Sequence, residues 1–111
     1  MNDCIFCKIV KKEAPATFIH EDDQVVAFYD NYPSAPKHAL IVPKKHIESL
    51  ENTTEKDNEL LGHIQVVARK IARELGIENG YKVITNNGPN AGQVVFHLHY
   101  HVMGGWKNKQ K

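Results

Sequence analysis

The stretch that decides the organisation of this chain is residues 94–103, which read Val94-Val95-Phe96-His97-Leu98-His99-Tyr100-His101-Val102-Met103. Apolar or aromatic residues fill the even positions, and histidine fills three consecutive odd positions. Successive side chains of a β-strand point to opposite faces, so this alternation predicts a strand with one core face and one histidine face. Three neighbouring imidazoles are unusual on a merely solvated face, and we expect them to carry chemistry.

Two kinds of chemistry suit these histidines. Same-face neighbours on a strand lie about 6.6 Å apart, so one zinc ion with bonds of about 2 Å cannot collect all three, although two of them with an outside ligand could bind a metal. Alternatively, imidazoles titrate near neutral pH and can divide the roles of nucleophile and proton donor in an attack on phosphorus. The Asn- and Gly-rich loop at 86–92 favours the second interpretation, since its amide and N–H groups can approach a ligand.

The rest of the chain predicts one α+β domain over residues 1–111 with an antiparallel sheet. A long helix is predicted from about Thr54 to Leu75, with a Thr54–Asp57 capping box at its start and Gly76 at its end. Strands are predicted over 17–20, 25–29, 38–42 and 81–85. A short N-terminal helix, capped by Asp3, is predicted to carry Ile5, Phe6, Ile9 and Val10 on one side.

Composition excludes several classes of protein. The 14 basic and 13 acidic residues leave a formal charge of +1, which argues against a protein that grips nucleic acid, and the basic residues of 107–111 are expected to form a solvated tail. No apolar run approaches the roughly 20 residues that span a bilayer, and the N-terminus lacks the layout of a signal peptide. We therefore expect a cytoplasmic protein without a membrane partner, in which Cys4 and Cys7 stay reduced.

The segment from Gly92 to Val102 closely resembles the signature of the histidine triad (HIT) family, His-φ-His-φ-His-φ-φ, where φ is apolar. Further counterparts of the family are found at Ile5-Phe6, 27–30, 36–47 and Asn86. The resemblance implies the HIT fold, a five-stranded antiparallel sheet with one long and one short helix. It also implies a homodimer in which two sheets join.

The resemblance further implies a reaction. HIT hydrolases cleave nucleoside 5′-phosphoramidates, related mixed anhydrides or dinucleoside polyphosphates and release a nucleoside monophosphate. By position, His99 matches the nucleophile that forms a nucleotidyl-histidine intermediate, and His101 matches the histidine that contacts the phosphate and leaving group. His97 and His38 match the histidines that support and orient the nucleophile.

The family's substrate-binding positions can be carried over in the same way. Asp30 matches the carboxylate that binds the ribose hydroxyls, and Asn86 and Gln93 match phosphate contacts. Many relatives have serine where this chain has Val94, which offers only its main-chain N–H to the phosphate. The walls of a purine pocket match Phe6, Ile9, Phe28 and Leu40.

Cys4 and Cys7 form a Cys-x-x-Cys pair that could be a redox pair, half of a zinc site or a chance occurrence. Some bacterial HIT proteins with this pair hold a structural zinc, and the resemblance extends that site to Cys4, Cys7, His46 and His97. Such a zinc would be structural, so the reaction would need no catalytic metal. It also competes with a role of His97 as a proton relay, because a metal-bound nitrogen cannot carry a proton.

Other interpretations remain open at this point. A purine-nucleotide-binding regulatory module with little turnover is the main alternative, a nucleotidyl transferase is another, and a metalloenzyme with His97 and His99 as zinc ligands is the last. His20 and His63 have no partner visible in the sequence and are expected to be ordinary surface or boundary residues.

Overall fold

One five-stranded antiparallel sheet separates a short helix from a long one in the computed structural model, which describes residues 4–107. The strand order is β1-β2-β3-β5-β4, which places β1 and β4 at the two edges. The predicted α+β class and the five-stranded antiparallel sheet are both confirmed. The strands and helices are β1 (Phe18–Glu21), β2 (Val25–Tyr29), β3 (Lys37–Pro43), β4 (Tyr81–Ile84), β5 (Tyr100–Gly104), α1 (Ile5–Val10) and α2 (Asn58–Glu74).

The two faces of the sheet carry two separate cores because β2 and β3 bury apolar residues on both faces. One face packs against α2, and its buried residues include Val25, Ala27, Ala39, Ile41 and Val102. The other face packs against α1, and its buried residues are Phe6, Ile9, Val26, Phe28, Leu40 and Val42. Leu40 pairs with His101 across β3 and β5, so the histidine face of β5 lies on the α1 side of the sheet.

The last strand is shorter than predicted. β5 begins at Tyr100, and its pairing with β3 ends at Ile41. Pro43, two residues further along β3, has no N–H to offer a ladder. The Leu98 N–H bonds instead to the Ile47 carbonyl at 2.6 Å. The expected alternation holds for Leu98, Tyr100 and Val102, which join the α2-side core, whereas Val94 and Phe96 are exposed and the expectation for them was wrong.

The long helix agrees well with its apolar periodicity. α2 spans Asn58–Glu74 and buries Leu60, Ile64, Val67 and Ile71 against the sheet, as predicted. The predicted capping box is present, although it caps a 3-10 turn at Glu55–Asp57 that leads into α2. Within residues 4–107, no helix is long and apolar enough to cross a membrane.

The short helix α1 differs from its predicted face. Phe6 and Ile9 are buried, but Cys7 is buried as well and Ile5 is 44% exposed. Cys4 occupies the N-cap position, and its sulfur accepts the Cys7 N–H. The predicted cap Asp3, like residues 108–111 of the basic tail, lies outside the described residues. The buried face of α1 therefore includes Cys7, whose sulfur contacts two histidines.

Candidate active site

A cavity of about 320 Å³ lies between α1 and the sheet, with His99 and His101 in its wall. The same wall contains Asp30 and Val94. All four apolar residues expected to hold a purine line the cavity, namely Phe6, Ile9, Phe28 and Leu40. The chain thus brings an apolar slot, a carboxylate and two imidazoles into one pocket, which is the usual composition of a small-molecule site.

Hydrogen bonds fix the protonation pattern of His99. Its Nδ1 lies 2.7 Å from the main-chain carbonyl of His97, and only an Nδ1–H can donate to that oxygen. Nε2 therefore carries the lone pair of the neutral ring. Within residues 4–107, every buried side-chain nitrogen or oxygen has a hydrogen-bond partner. His99 Nε2 has no partner there, so it is not buried and opens to the cavity.

Two neighbours hold His99, one through its main chain and one through its ring. The Thr85 hydroxyl donates to the His99 carbonyl at 2.8 Å, and the edge of the Phe6 ring packs against the imidazole at a centroid distance of 5.0 Å. Burial lowers the pKa of His99 below its ordinary value, against the opposing effects of the His97 carbonyl and the Asp30 charge. A neutral, well-held imidazole with an accessible lone pair is a competent nucleophile at neutral pH.

His101 is fixed by a second chain of hydrogen bonds. The Ser34 N–H donates to His38 Nδ1 at 2.9 Å, which places the proton of His38 on Nε2. That Nε2 lies 2.9 Å from His101 Nδ1, which must accept, so the proton of neutral His101 sits on its Nε2. Burial lowers the pKa of His101 to about 4. His101 therefore offers the cavity a donor, and the predicted support role of His38 is directed to His101 rather than to His99.

Asp30 is held by the loop that follows β2. Its Oδ1 accepts the Tyr32 N–H at 2.8 Å, and its Oδ2 lies 3.4 Å from His38 Nε2. Both contacts leave lone pairs on a carboxylate whose side chain is 18% exposed to the cavity mouth. Two adjacent hydroxyl groups of a ligand could donate to such a carboxylate.

The residues expected to contact phosphate do not all reach the cavity. The Gln93 side chain is consumed by the loop: its Nε2 donates to the carbonyls of Glu48 and Val95, and its Oε1 accepts the Gly88 N–H. Its predicted phosphate contact is corrected accordingly, because both amide hydrogens are already used. Asn86 is half-buried and does not line the cavity. Val94 lines it with an 83% exposed side chain.

Four metal-binding side chains, which we term the Cys–His cluster, meet beside the cavity: Cys4, Cys7, His46 and His97. His97 Nδ1 lies 3.3 Å from Cys4 Sγ, 3.5 Å from Cys7 Sγ and 3.1 Å from His46 Nδ1. Tetrahedral zinc separates such ligand atoms by about 3.3–3.8 Å, given bonds of about 2.0–2.3 Å. Two sulfurs and two imidazoles at these separations fit a structural zinc.

The ring of His97 is turned toward this cluster. It is fully buried, and its Nε2 donates to the Pro43 carbonyl at 2.7 Å, which leaves the Nδ1 lone pair facing the two sulfurs. Burial lowers the pKa of His97 to about 4, so the ring is neutral. With one nitrogen used by Pro43 and the other by the Cys–His cluster, His97 contributes to the cavity through its main-chain carbonyl and not as a proton relay.

Several functional contacts were not visible in the sequence. Ser34 and Thr85 act through one main-chain N–H and one hydroxyl, and neither has a sequence signal. His20 and His63 were expected to be ordinary surface or boundary residues, but both contact Asp22 at 2.7 Å. The spacing of His20 and Asp22 was the only available hint of that group, because His63 comes from α2 more than forty residues later.

The fold and the site together define an antiparallel α+β domain with paired neutral imidazoles in a cavity between α1 and the sheet. The sequence pattern of the HIT domain matches residues 11–108, and the chain belongs to the HIT family. Among solved structures it is similar to a HIT family hydrolase from Clostridium thermocellum, with 47% identity, a TM-score of 0.93, and coverage of 100% of this chain and 97% of that one.

The names of two further relatives each mention a ligand. A histidine triad nucleotide-binding protein from Candida albicans shares 34% identity and a TM-score of 0.83, with 98% of this chain and 86% of that one covered. A 14 kDa zinc-binding protein from Zea mays is 45% identical over 103 residues, which are 91% of this chain and 80% of that protein.

Proposed function

We propose that this protein is a nucleotidyl hydrolase that releases a nucleoside monophosphate through a nucleotidyl-histidine intermediate. The observation that carries the proposal is the pairing of opposite tautomers in one cavity, where His99 presents a lone pair and His101 presents an N–H. The substrate class is nucleoside 5′-phosphoramidates, related mixed anhydrides or dinucleoside polyphosphates. The named hydrolase and nucleotide-binding relatives support this proposal.

The reaction takes two displacements at the α-phosphorus. The His99 Nε2 lone pair attacks phosphorus, a P–N bond forms, and the bond to the leaving group breaks with its electron pair, after which the leaving group takes up a proton. His101 Nε2–H donates a hydrogen bond to the phosphoryl oxygen or the leaving atom as charge develops there. Water then attacks phosphorus and loses a proton, and the P–N bond breaks to restore neutral His99.

The cavity also supports selection of the nucleoside. Phe6 and Phe28 pack edge to face at a centroid distance of 5.8 Å, and with Ile9 and Leu40 they present an apolar slot for a purine. Asp30 would accept hydrogen bonds from the ribose hydroxyls. Val94 N–H would contact the phosphate, since it has no acceptor within the described residues.

We further propose that the Cys–His cluster binds a structural zinc ion. The separations of its ligand atoms and the name of the maize relative support this assignment. When bound, zinc supplies a cross-link between α1 and the segment that carries His97. Cys4, Cys7, His46 and the His97 ring hold that cross-link, while the His97 carbonyl orients His99. No divalent ion takes part in the proposed displacements.

The experiment is release of AMP from adenosine 5′-phosphoramidate by purified protein, with metal content measured on the same samples. The wild type should release AMP with or without free metal chelator in the assay, and His99→Ala should lose turnover yet still bind AMP. Lys70→Ala, an exposed change on α2, is the control for preparation. A His99→Ala variant with wild-type turnover would overturn the nucleophile assignment.

The alternative is a purine-nucleotide-binding regulatory module with little turnover, favoured only by valine at position 94. It predicts AMP binding without hydrolysis of either adenosine 5′-phosphoramidate or a diadenosine polyphosphate. Measurable release from either substrate, lost in His99→Ala, argues against this alternative.

A homodimer that joins two sheets is proposed from the edge strand β4. The opposite edge, β1, is interrupted by a bulge and flanked by the Lys12–Glu21 and Lys44–Glu21 ion pairs, which protect edges from pairing. β4 instead exposes Val83, and Trp106, 45% exposed, lies beside Lys82 of the same strand. Light scattering should give a dimer mass for the wild type and a lower mass for Val83→Lys; a monomeric wild type would contradict the proposal.

A further inference from the structure

Three side chains with metal-binding atoms meet on the α2 face of the sheet, opposite the face that holds the cavity. We term His20, Asp22 and His63 the β1–α2 cluster. The Nε2 atoms of His20 and His63 each lie 2.7 Å from the same oxygen, Asp22 Oδ2. The potential ligand atoms of the three residues all lie within 4.8 Å of one another. His20 belongs to β1, Asp22 to the following turn and His63 to α2.

A break in the strand pairing brings His20 into this group. Phe18 pairs with Phe28, and a regular ladder would then pair His20 with Val26, whose side chain lies on the α1 face. The register shifts at Ile19, so that His20 pairs with Ala27, which belongs to the α2-side core. The bulge thus turns the imidazole of His20 from the α1 face toward α2, which carries His63.

The turn then fixes the carboxylate between the two imidazoles. Asp22 Oδ1 accepts the N–H groups of Gln24 at 2.8 Å and Val25 at 2.9 Å, which directs Oδ2 toward His20 and His63. Although partial burial works to raise it, hydrogen bonds from both imidazoles hold the pKa of Asp22 well below its usual range. One carboxylate oxygen is therefore presented in a fixed direction to two Nε2 atoms.

We propose that His20, Asp22 and His63 bind a divalent transition-metal ion such as Zn²⁺, Co²⁺ or Ni²⁺, separately from the Cys–His cluster. Two imidazoles and one carboxylate are ligands that these ions accept. The three side chains are 22%, 28% and 29% exposed, which leaves room for water at the remaining coordination positions. Ligand atoms around such an ion lie about 3.3 Å apart, so binding requires each ring to shift its proton from Nε2 to Nδ1 and each Nε2 to move from Oδ2 by less than about 1 Å.

The position of the cluster determines what the ion would do. It would connect the edge strand β1 to helix α2, which these three side chains already bring together. Because His99 and His101 lie on the opposite face of the sheet, the ion would stabilise the fold and leave the cavity chemistry unchanged.

Cobalt titration of the intact, zinc-loaded protein tests this proposal. Co²⁺ bound by two histidines and a carboxylate lacks the thiolate-to-cobalt charge-transfer band of a site with cysteine ligands, so the two sites report separately. The wild type should bind one further equivalent of Co²⁺ per chain without that band. His20→Gln and His63→Gln keep a hydrogen-bond donor for Asp22 but should lose this equivalent, whereas Lys70→Ala should retain it.

Two results would overturn the proposal: no further equivalent bound by the wild type, or undiminished binding in both glutamine variants. A second measurement needs no variant. Addition of Ni²⁺ to the zinc-loaded wild type should broaden the ring signals of His20 and His63 in an NMR spectrum before those of other histidines. Ring signals of His20 and His63 that remain sharp at saturating Ni²⁺ would exclude the site.

Discussion

His97 and His101 stand four positions apart in one segment and both carry their proton on Nε2, yet they present opposite nitrogens to the groups beside them. His97 donates from Nε2 to the Pro43 carbonyl and turns a bare Nδ1 to the sulfurs of Cys4 and Cys7. His101 accepts at Nδ1 from His38 and turns Nε2–H to the cavity. We infer that the hydrogen-bond partner behind each ring, more than the shared histidine motif, decides between the proposed roles of metal ligand and catalytic donor.

The largest effect that tests this comparison is expected at His101, the proposed catalytic donor. His101→Ala removes the donor that meets developing charge, and we expect kcat/KM for AMP release to fall on the order of 10²–10⁴-fold. Bound zinc and thermal stability should stay close to those of the wild type, since His101 does not touch the Cys–His cluster. Metal content and kinetics measured together check this, and loss of zinc in His101→Ala would contradict the separation of roles.

The converse change is Cys7→Ser at the metal end. It should remove zinc and lower Tm by roughly 5–15 °C, because each kcal/mol shifts Tm of a domain this size by about 4–8 °C. Activity should fall by about 10–10²-fold, since the His97 carbonyl that orients His99 becomes less well held. Calorimetry and AMP release measure the two effects. A variant with full zinc content and unchanged Tm would refute the assignment of Cys7.

The pH dependence sharpens the comparison inside the cavity. In the proposed reaction His99 is a neutral nucleophile, and burial holds its pKa below the ordinary value of about 6.5. As pH falls, protonation removes the lone pair, so kcat/KM should stay level down to about pH 6.5 and decline only below it. His101, with its pKa lowered to about 4, remains neutral across that range. An acid limb centred above pH 7 would be inconsistent with this protonation pattern.

The smallest effect is expected at Val94, whose exposed side chain lines the cavity. Val94→Ser adds a hydroxyl near the phosphate and should raise kcat/KM for a phosphoramidate by about 3–10-fold, which corresponds to one ordinary additional hydrogen bond of about 1 kcal/mol. Stability should change by less than about 0.5 kcal/mol, as at other surface positions. Paired assays of Val94→Ser and Val94→Ala separate the hydroxyl from the loss of bulk; equal rates would remove any role for it.

The sequence predicted the parts of the molecule that depend on periodicity. The stripe of Leu60, Ile64, Val67 and Ile71 predicted α2 because each of these residues repeats at helical spacing and packs on the sheet. The family resemblance predicted which four apolar residues would line the cavity, and the structure brings them together there.

The missed features depend on main-chain groups that no side-chain pattern reports. The early end of the β3–β5 ladder follows from the absent N–H of Pro43, and the use of Gln93 within its loop follows from the carbonyls of Glu48 and Val95. His20 was placed by a bulge at Ile19, which reverses the face that simple alternation assigns. These features end a ladder, consume a donor and reverse a side-chain direction, and the sequence alone leaves all three open.

The most direct test of the central claim is the stereochemical course at the α-phosphorus. A P-chiral adenosine 5′-thiophosphoramidate hydrolysed in ¹⁸O-labelled water yields a thiophosphate whose configuration can be read by NMR. Attack by His99 followed by attack by water inverts phosphorus twice, so net retention is the predicted result. Net inversion would show a single displacement by water and would contradict His99 as the nucleophile.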